Sequence, residues 1–334
     1  MERKNFYIAG MSESSSGGIF RCQYDGHVFE TVDFTPLKRC LFLAWGRDRK
    51  TLYATAQYDG AGNIAAYKVE HDGKLTLLDM VDAGGQSACF LAVSENGKYL
   101  YSANYASGNF SEFTLEANGI IAKESRKILE FGENSHPHCC GFTPDGKFLY
   151  VVDAGSDRII FYAYDPNDGI EKTAVRIMEL PAASNPRHMF FDTAGENAYI
   201  ITEQANDIRR YRWENGKLLP ADVVSTLPEK PEKESSASTI KFAENGRFLF
   251  AGNRGDDSIA VFQIDSDGKL NCQKIVSSGG SSPRDFEFLP DADILAVANE
   301  LSGKVDFFHC EQNSGIISGL CGSLEFPRPL YVLV

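Results

Sequence analysis

The stretch "CGFTPDGKFLYVVDAGSDRIIFYAYDPNDGI" (140–170) decides how this chain folds. It reads as a short apolar run, a turn at Asp145–Gly146, a second apolar run ending at Asp153, a polar turn, and an alternating run from Arg158. Short apolar or alternating runs broken by Gly-containing turns are the pattern of antiparallel hairpins. The pattern returns as "FLAVSENGKYLYSANYASGNFSEFTLEANGI" (90–120) and "IKFAENGRFLFAGNRGDDSIAVFQIDSDGKL" (240–270), with further copies at 43–75, 189–218 and 286–316. A shorter copy at 6–26 lacks the opening run.

Superposing the copies on one anchor gives Tyr7, Tyr53, Tyr101, Tyr150, Tyr199, Phe250 and Ala296, spaced 46 to 51 residues apart. Repeats of four short strands at a period of roughly 40–50 residues are the blades of a propeller. The expected fold is therefore all-β: one seven-bladed β-propeller domain over residues 1–334. The terminal "RPLYVLV" is expected to pair into the first blade, supply its missing strand and close the ring without a free edge. "LPEKPEKESSAS" (227–238) is charged and contains proline, so it reads as a surface loop.

Composition narrows the function. The formal net charge is −13, and no cluster of lysines or arginines stands against it. Nucleic acid and anionic membranes are poor partners for such a surface. The opening "MERKNFYIAGM" has no apolar signal region, and no apolar run is long enough to span a bilayer. The eight cysteines include no CxxC pair and read as small buried residues of a reducing compartment, so a cytoplasmic location is expected.

The repeat register converts sequence into geometry. Twelve residues before each anchor, where the first strand begins, stand Leu41, Cys89, His138, Arg187, Ser238 and Arg284. Three and four residues after it, where the second strand ends, stand Asn104–Tyr105, Asp153–Ala154, Thr202–Glu203, Asn253–Arg254 and Asn299–Glu300. The start of one hairpin strand lies beside the end of the other, so both sets should rim the central channel. His138, Arg187, Glu203, Arg254 and Arg284 are thus the candidate site, with His136, His188, Asp153 and Asn299 as candidate substrate contacts. The Asn and Asp positions have a simpler reading as turn residues bonding their own backbone. For a single arginine, an ion-paired structural plug is the competing reading.

Arginines in a channel select an anion, because a guanidinium pairs bidentately with carboxylate or phosphate. A histidine and a glutamate supply proton transfer. No GxSxG motif is present, so a serine triad is not indicated. Water attack on an activated ester or lactone needs only a base and cationic donors for the oxyanion.

"NSHPHCCGFTPDGKFLYVVDAGSDRIIFY", "NPRHMFFDTAGENAYIITE", "FLFAGNRGDDSIAVF" and "SPRDFEFLPDADILAVANE" resemble the signature segments of the seven-bladed lactonase family, along essentially the whole chain. That family includes bacterial 6-phosphogluconolactonases and fungal 3-carboxy-cis,cis-muconate lactonizing enzymes. The resemblance implies hydrolysis of 6-phospho-D-glucono-1,5-lactone in the pentose phosphate route, without a cofactor. It also implies catalytic roles for His138, Arg187, Glu203 and Arg254, and adds Arg284 to the anion site. The chain departs from relatives at Phe90, Thr239 and Ala154, the first two of which bear on substrate fit.

Four other readings remain at this stage. A protein-binding propeller of the WD kind is disfavoured, because Trp45 and Trp213 are followed by Gly46 and Glu214. A calcium-dependent lactonase would use Asp153, Glu203, Asn253 and Asn299, against the repulsion of the interleaved arginines. A cycloisomerase acting on a carboxymuconate would need the same anion clamp. A catalytically idle relative would keep the fold without the reaction.

Overall fold

The computed structural model describes residues 3–230 and 233–334. Among them every regular element is a β-strand, and the strands form seven four-stranded antiparallel sheets, the blades of a β-propeller. Blades 2 to 7 each take four consecutive strands, beginning at Leu43, Ala88, Pro137, Pro186, Ser236 and Pro283. Blade 1 takes Lys4–Gly10, Gly18–Tyr24 and Phe29–Pro36, with the C-terminal strand Pro329–Leu333 hydrogen-bonded beside Lys4–Gly10. The expected closure by the last segment is what the strand order shows.

The chain divides into two compact units. One comprises residues 1–8, 22–32 and 186–334 and holds blades 5, 6 and 7 with the C-terminal strand. The other comprises residues 9–21 and 33–185 and holds blades 2, 3 and 4, and the strands of blade 1 are shared between the two.

The turn between first and second strands is the same device in blade after blade. Gly97, Gly146, Gly195 and Gly246 take left-handed φ of 65° to 71°, and each donates its N–H to the carbonyl three residues back. Only glycine adopts this conformation without steric cost. Where the copies lack glycine, Arg49 and Asp291 take φ of 53° instead. That is why their turn sequences depart from the DGK pattern without losing the hairpin.

The first strands share a second device. In blade 4 the pairing runs Pro137↔Asp153 and then Cys139↔Val152, leaving His138 as a one-residue bulge. The same slip leaves out Cys89 in blade 3, Arg187 in blade 5 and Arg284 in blade 7. In blade 6 it falls at Ser238–Thr239. A bulge re-aims its side chain away from the alternation of the strand. These are the positions that the repeat register singles out twelve residues before the anchor.

The anchors form the cores. Tyr7, Tyr53, Tyr101, Tyr199 and Phe250 are all fully buried. Tyr53 donates its hydroxyl to Gly119 O (2.8 Å) in the outer turn of the next blade, and Tyr199 does the same to Gly268 O (2.6 Å). Glycine is required at that turn. A Cβ on Gly268 would lie 2.4 Å from Asn197 Nδ2, and one on Gly119 2.4 Å from Thr51 Oγ1. The phenol therefore staples one blade to its neighbour through a contact too close for any side chain.

The segment read as a loop over 227–238 is shorter than expected. Residues 231 and 232 lie outside the described residues, and Ser236 already belongs to a strand, paired with Arg254. The pairing of Ala237 with Asn253 overrides the polar, loop-like composition of "SSAS". Replacing Tyr199 with Phe should cost about 1–2 kcal/mol in urea denaturation, because Gly268 O loses its donor. An unchanged midpoint would show that the staple contributes nothing.

Candidate active site

Blades 5 and 6 build a compact charged cluster. Glu203, the residue after the second strand of blade 5, receives two guanidiniums: Arg254 Nη2 at 2.8 Å on Oε1 and Arg187 Nε at 3.5 Å on Oε2. Arg187 is 4% exposed. It also donates to the Ser238 carbonyl and to His188 Nε2 (3.2 Å). Arg254 is held from its own blade, with Nη2 donating to Ala237 O (3.1 Å) and Nε to Ser236 O (3.4 Å). Two cations share one carboxylate, so the group carries a net positive charge in a largely buried setting.

That environment fixes the charge of Glu203. Burial alone would raise its carboxyl, but Arg254, then Arg187 and more weakly Arg284, overcome burial and hold it below the ordinary glutamate range. Glu203 is ionised at neutral pH, which suits it to aligning guanidiniums rather than to delivering a proton.

His188 is a support for Arg187. Because a guanidinium only donates, Nε2 of His188 must be the acceptor, which puts the proton on Nδ1. Nδ1–H then donates to Thr239 Oγ1 at 3.0 Å. The threonine that departs from the family pattern is therefore the anchor of a neutral imidazole. His188, expected as a substrate contact, is committed at both ring nitrogens.

A second cluster occupies blade 7. The bulge residue Arg284 pairs with Glu300 (3.5 Å), in the register by which Arg187 pairs with Glu203. Arg328, in the segment leading to the C-terminal strand, pairs with the other oxygen of Glu300. Nearby, Lys241 bonds Glu287 (2.7 Å) and faces Asp285 (3.7 Å), while Tyr331 packs against its ammonium at 5.3 Å. Asp285 also accepts the Val332 N–H (3.0 Å) of the C-terminal strand. Burial pushes the Asp285 carboxyl up to about 6, against the opposing pull of Lys241. Repeat register did not bring out Arg328, Lys241 or this carboxylate pair. The alternation of charge in "STIKF" and "PRDFEF" was the only sequence signal for the last two.

In the other unit, His138 is 6% exposed and meets Tyr105 edge-on at 5.7 Å between ring centres. His136 stacks on Tyr105 at 4.6 Å, and its Nδ1 donates to the Tyr105 carbonyl at 2.8 Å. Asp153 is fully buried and accepts from Ser135 Oγ (2.8 Å), the His136 N–H (2.8 Å) and Arg158 Nε (2.9 Å). It holds the loop that carries the histidines. Asn299 is also fully buried, donating to Ser278 O and to Asp306 (2.8 Å each). Asn253 donates to Thr226 O in the same way. These residues tie down the segment that leads into their own blade, at sequence separations of 17 to 27, rather than the backbone of their own turn as the turn reading has it.

Of the residues considered for a calcium site, the two carboxylates are committed to cations, Asp153 to Arg158 and Glu203 to two arginines, while Asn253 and Asn299 engage backbone carbonyls only through their amide nitrogens. A surface cleft of about 790 Å³ in blades 5 and 6 is lined by Asn197, Arg210, Trp213 and Asp267 at the glycine-turn end. Arg210 there is bonded to Asp222, Asn197 and the Asp267 carbonyl, which gives it a structural role. No helix among the described residues is long and apolar enough to cross a membrane.

Seven antiparallel four-stranded blades, two of them carrying a bulged arginine paired with a carboxylate, define a seven-bladed propeller. The chain belongs to the family described as lactonase, 7-bladed beta-propeller, whose model matches residues 5–334. It is thereby a lactone hydrolase, an enzyme of the carboxylic-ester class. It is 29% identical over 340 residues to the 6-phosphogluconolactonase of Bacillus subtilis (strain 168), covering 98% of this chain and 97% of that one. The periplasmic gluconolactonase PpgL of Pseudomonas aeruginosa superposes with a TM-score of 0.92 at 23% identity, covering 99% and 98% of the two chains. A protein from Lactobacillus plantarum does so with a TM-score of 0.92 at 24% identity, covering 99% of each. The last two similarities establish the fold.

Replacing Glu203 with Gln keeps its shape and removes its charge. At neutral pH the variant should be about 1–3 kcal/mol less stable by chemical denaturation, allowing for partial solvent screening. A lowered carboxyl contributes stability above its unfolded pKa and loses it as pH falls through the folded value. The difference between variant and wild type should therefore shrink below the ordinary carboxylate range. A difference independent of pH would contradict an ionised Glu203.

Proposed function

We propose that this lactonase hydrolyses 6-phospho-D-glucono-1,5-lactone to 6-phosphogluconate. The observation that carries the reading is the Arg187–Glu203–Arg254 group, two guanidiniums on one ionised carboxylate. It carries one excess positive charge to attract an anion and is pre-ordered by backbone carbonyls and by His188. The name of the Bacillus subtilis relative supports the phosphorylated substrate.

In this mechanism water attacks the lactone carbonyl carbon, and the carbonyl oxygen becomes an oxyanion facing Arg187 and Arg254. Fixed donors at that point stabilise the charge that develops in the transition state. Collapse of the intermediate breaks the bond to the ring oxygen, which takes a proton to become the 5-hydroxyl. Glu203 aligns the arginines. The proton transfers are assigned to His138 on the family resemblance of its motif, "HPH", and it holds in its own blade the bulge position that Arg187 holds in blade 5. Asp153 and His136 position its loop, and Arg284 belongs to anion recognition. The route uses no metal or organic cofactor.

The same chemistry would suit a carboxylate-bearing lactone, so the substrate itself is the test. Freshly prepared 6-phosphogluconolactone should be consumed faster than its spontaneous breakdown, with and without EDTA. Arg187→Ala should lower kcat/KM by about 10²–10³ and His138→Asn kcat by about 10²–10⁴. No acceleration by the wild type would overturn the substrate assignment, and loss of activity in EDTA would overturn the metal-free route.

A further inference from the structure

The blade 7 cluster repeats the blade 5 and 6 arrangement with a partner that the repeat does not supply. Glu300 stands where Glu203 stands in its own blade, one residue past the second strand, and it too receives two guanidiniums. Arg284 comes from the bulge, as Arg187 does. The second cation, Arg328, comes from the irregular segment before the C-terminal strand, where its backbone takes a left-handed φ of 41°. Such a conformation is uncommon for a residue with a side chain and persists where its surroundings demand it.

Exposure separates the members. Glu300 is 6% exposed, while the side chains of Arg284 and Arg328 are 26% and 52% exposed. A buried carboxylate thus holds two cations that are themselves partly open to solvent. The Arg284–Arg328–Glu300 trio by itself carries one excess positive charge, while Lys241 faces the two carboxylates Glu287 and Asp285 and is no part of that excess, its own group being one negative charge over. Arg284 is close enough to Glu203 to help hold its carboxyl ionised, so the two arginine pairs belong to one electrostatic neighbourhood.

We infer that Arg284 and Arg328, aligned by Glu300, form a second anion subsite that receives the phosphate of the substrate, distal to the lactone carbonyl. This rests on the phospholactonase reading and deepens it. One arginine pair would stabilise the reacting oxygen, and the other would select for a phosphoryl group. A phosphate oxygen suits guanidiniums that are partly open to solvent and aligned by a shared carboxylate. Glu300 is then a positioning residue, and Arg328 a determinant of specificity that no repeat position marks.

The test compares 6-phosphogluconolactone with unphosphorylated glucono-1,5-lactone for wild type and Arg328→Gln, and titrates 6-phosphogluconate against gluconate by calorimetry. The expected result is a fall of about tenfold or more in the ratio of the two kcat/KM values, carried mainly by KM for the phosphorylated lactone. The calorimetric preference for 6-phosphogluconate should fall by a similar factor, and Arg284→Gln should act in the same direction. An unchanged ratio in an active enzyme would overturn the subsite while leaving the lactonase reading intact. If the wild type turned over neither lactone but its preference for 6-phosphogluconate still depended on Arg328, the subsite would stand and the reaction assignment would fall. A preference that survives in Arg328→Gln overturns the subsite in either case.

Discussion

The structure depends on a one-residue excess in the first strand of each blade from 3 to 7. A strand in regular register would point alternate residues into the blade interfaces and would have no place for an arginine beside its Pro neighbour. The bulge takes Cys89, His138, Arg187 and Arg284 out of the alternation while the strand goes on pairing on both sides. The cores on either side remain apolar, with Leu249, Phe250 and Ala251 fully buried in one of them. The chemistry is thus attached to the fold without passing through it, and its residues can differ from blade to blade.

Electrostatics then decides what the bulges are for. Burying an arginine is costly unless it is paired, and pairing each with its own carboxylate would cancel the charge. Here Glu203 and Glu300 each serve two arginines, which neutralises enough to make burial tolerable and leaves an excess to attract an anion. Backbone carbonyls of Ser238, Ala237 and Ser236 take further donors and fix the guanidinium planes. The Arg187–Glu203–Arg254 group keeps one uncompensated positive charge, which is what the proposed anion site rests on.

Much of this was legible in the sequence, since counting from the tyrosine anchors reaches each bulge residue and each strand end. What counting could not separate was the third residue after the anchor from the fourth. Neighbours on a strand face opposite ways. Asn104, Asp153, Asn253 and Asn299 therefore turn inward and tie crossing segments, while Glu203, Arg254 and Glu300 join the charged groups. Asp153 entered the candidate set from its place opposite His138 in one hairpin and Asn299 from its place beside Glu300, and the structure gives both of them hydrogen bonds within the fold. Arg328 was invisible for a different reason: it lies in an irregular segment outside the repeat, and its partner Glu300 is 28 residues away. The role of His188 also needed coordinates, because only the contact with Arg187 fixes its tautomer.

The most direct test of the account is a crystal structure of the protein with 6-phosphogluconate, the product of the proposed reaction. The account predicts the carboxylate of the ligand within hydrogen-bond distance of Arg187 and Arg254, with Glu203 still bridging the two arginines. A ligand carboxylate bound elsewhere, or a displaced Glu203, would contradict the claim that a shared glutamate preforms the anion site.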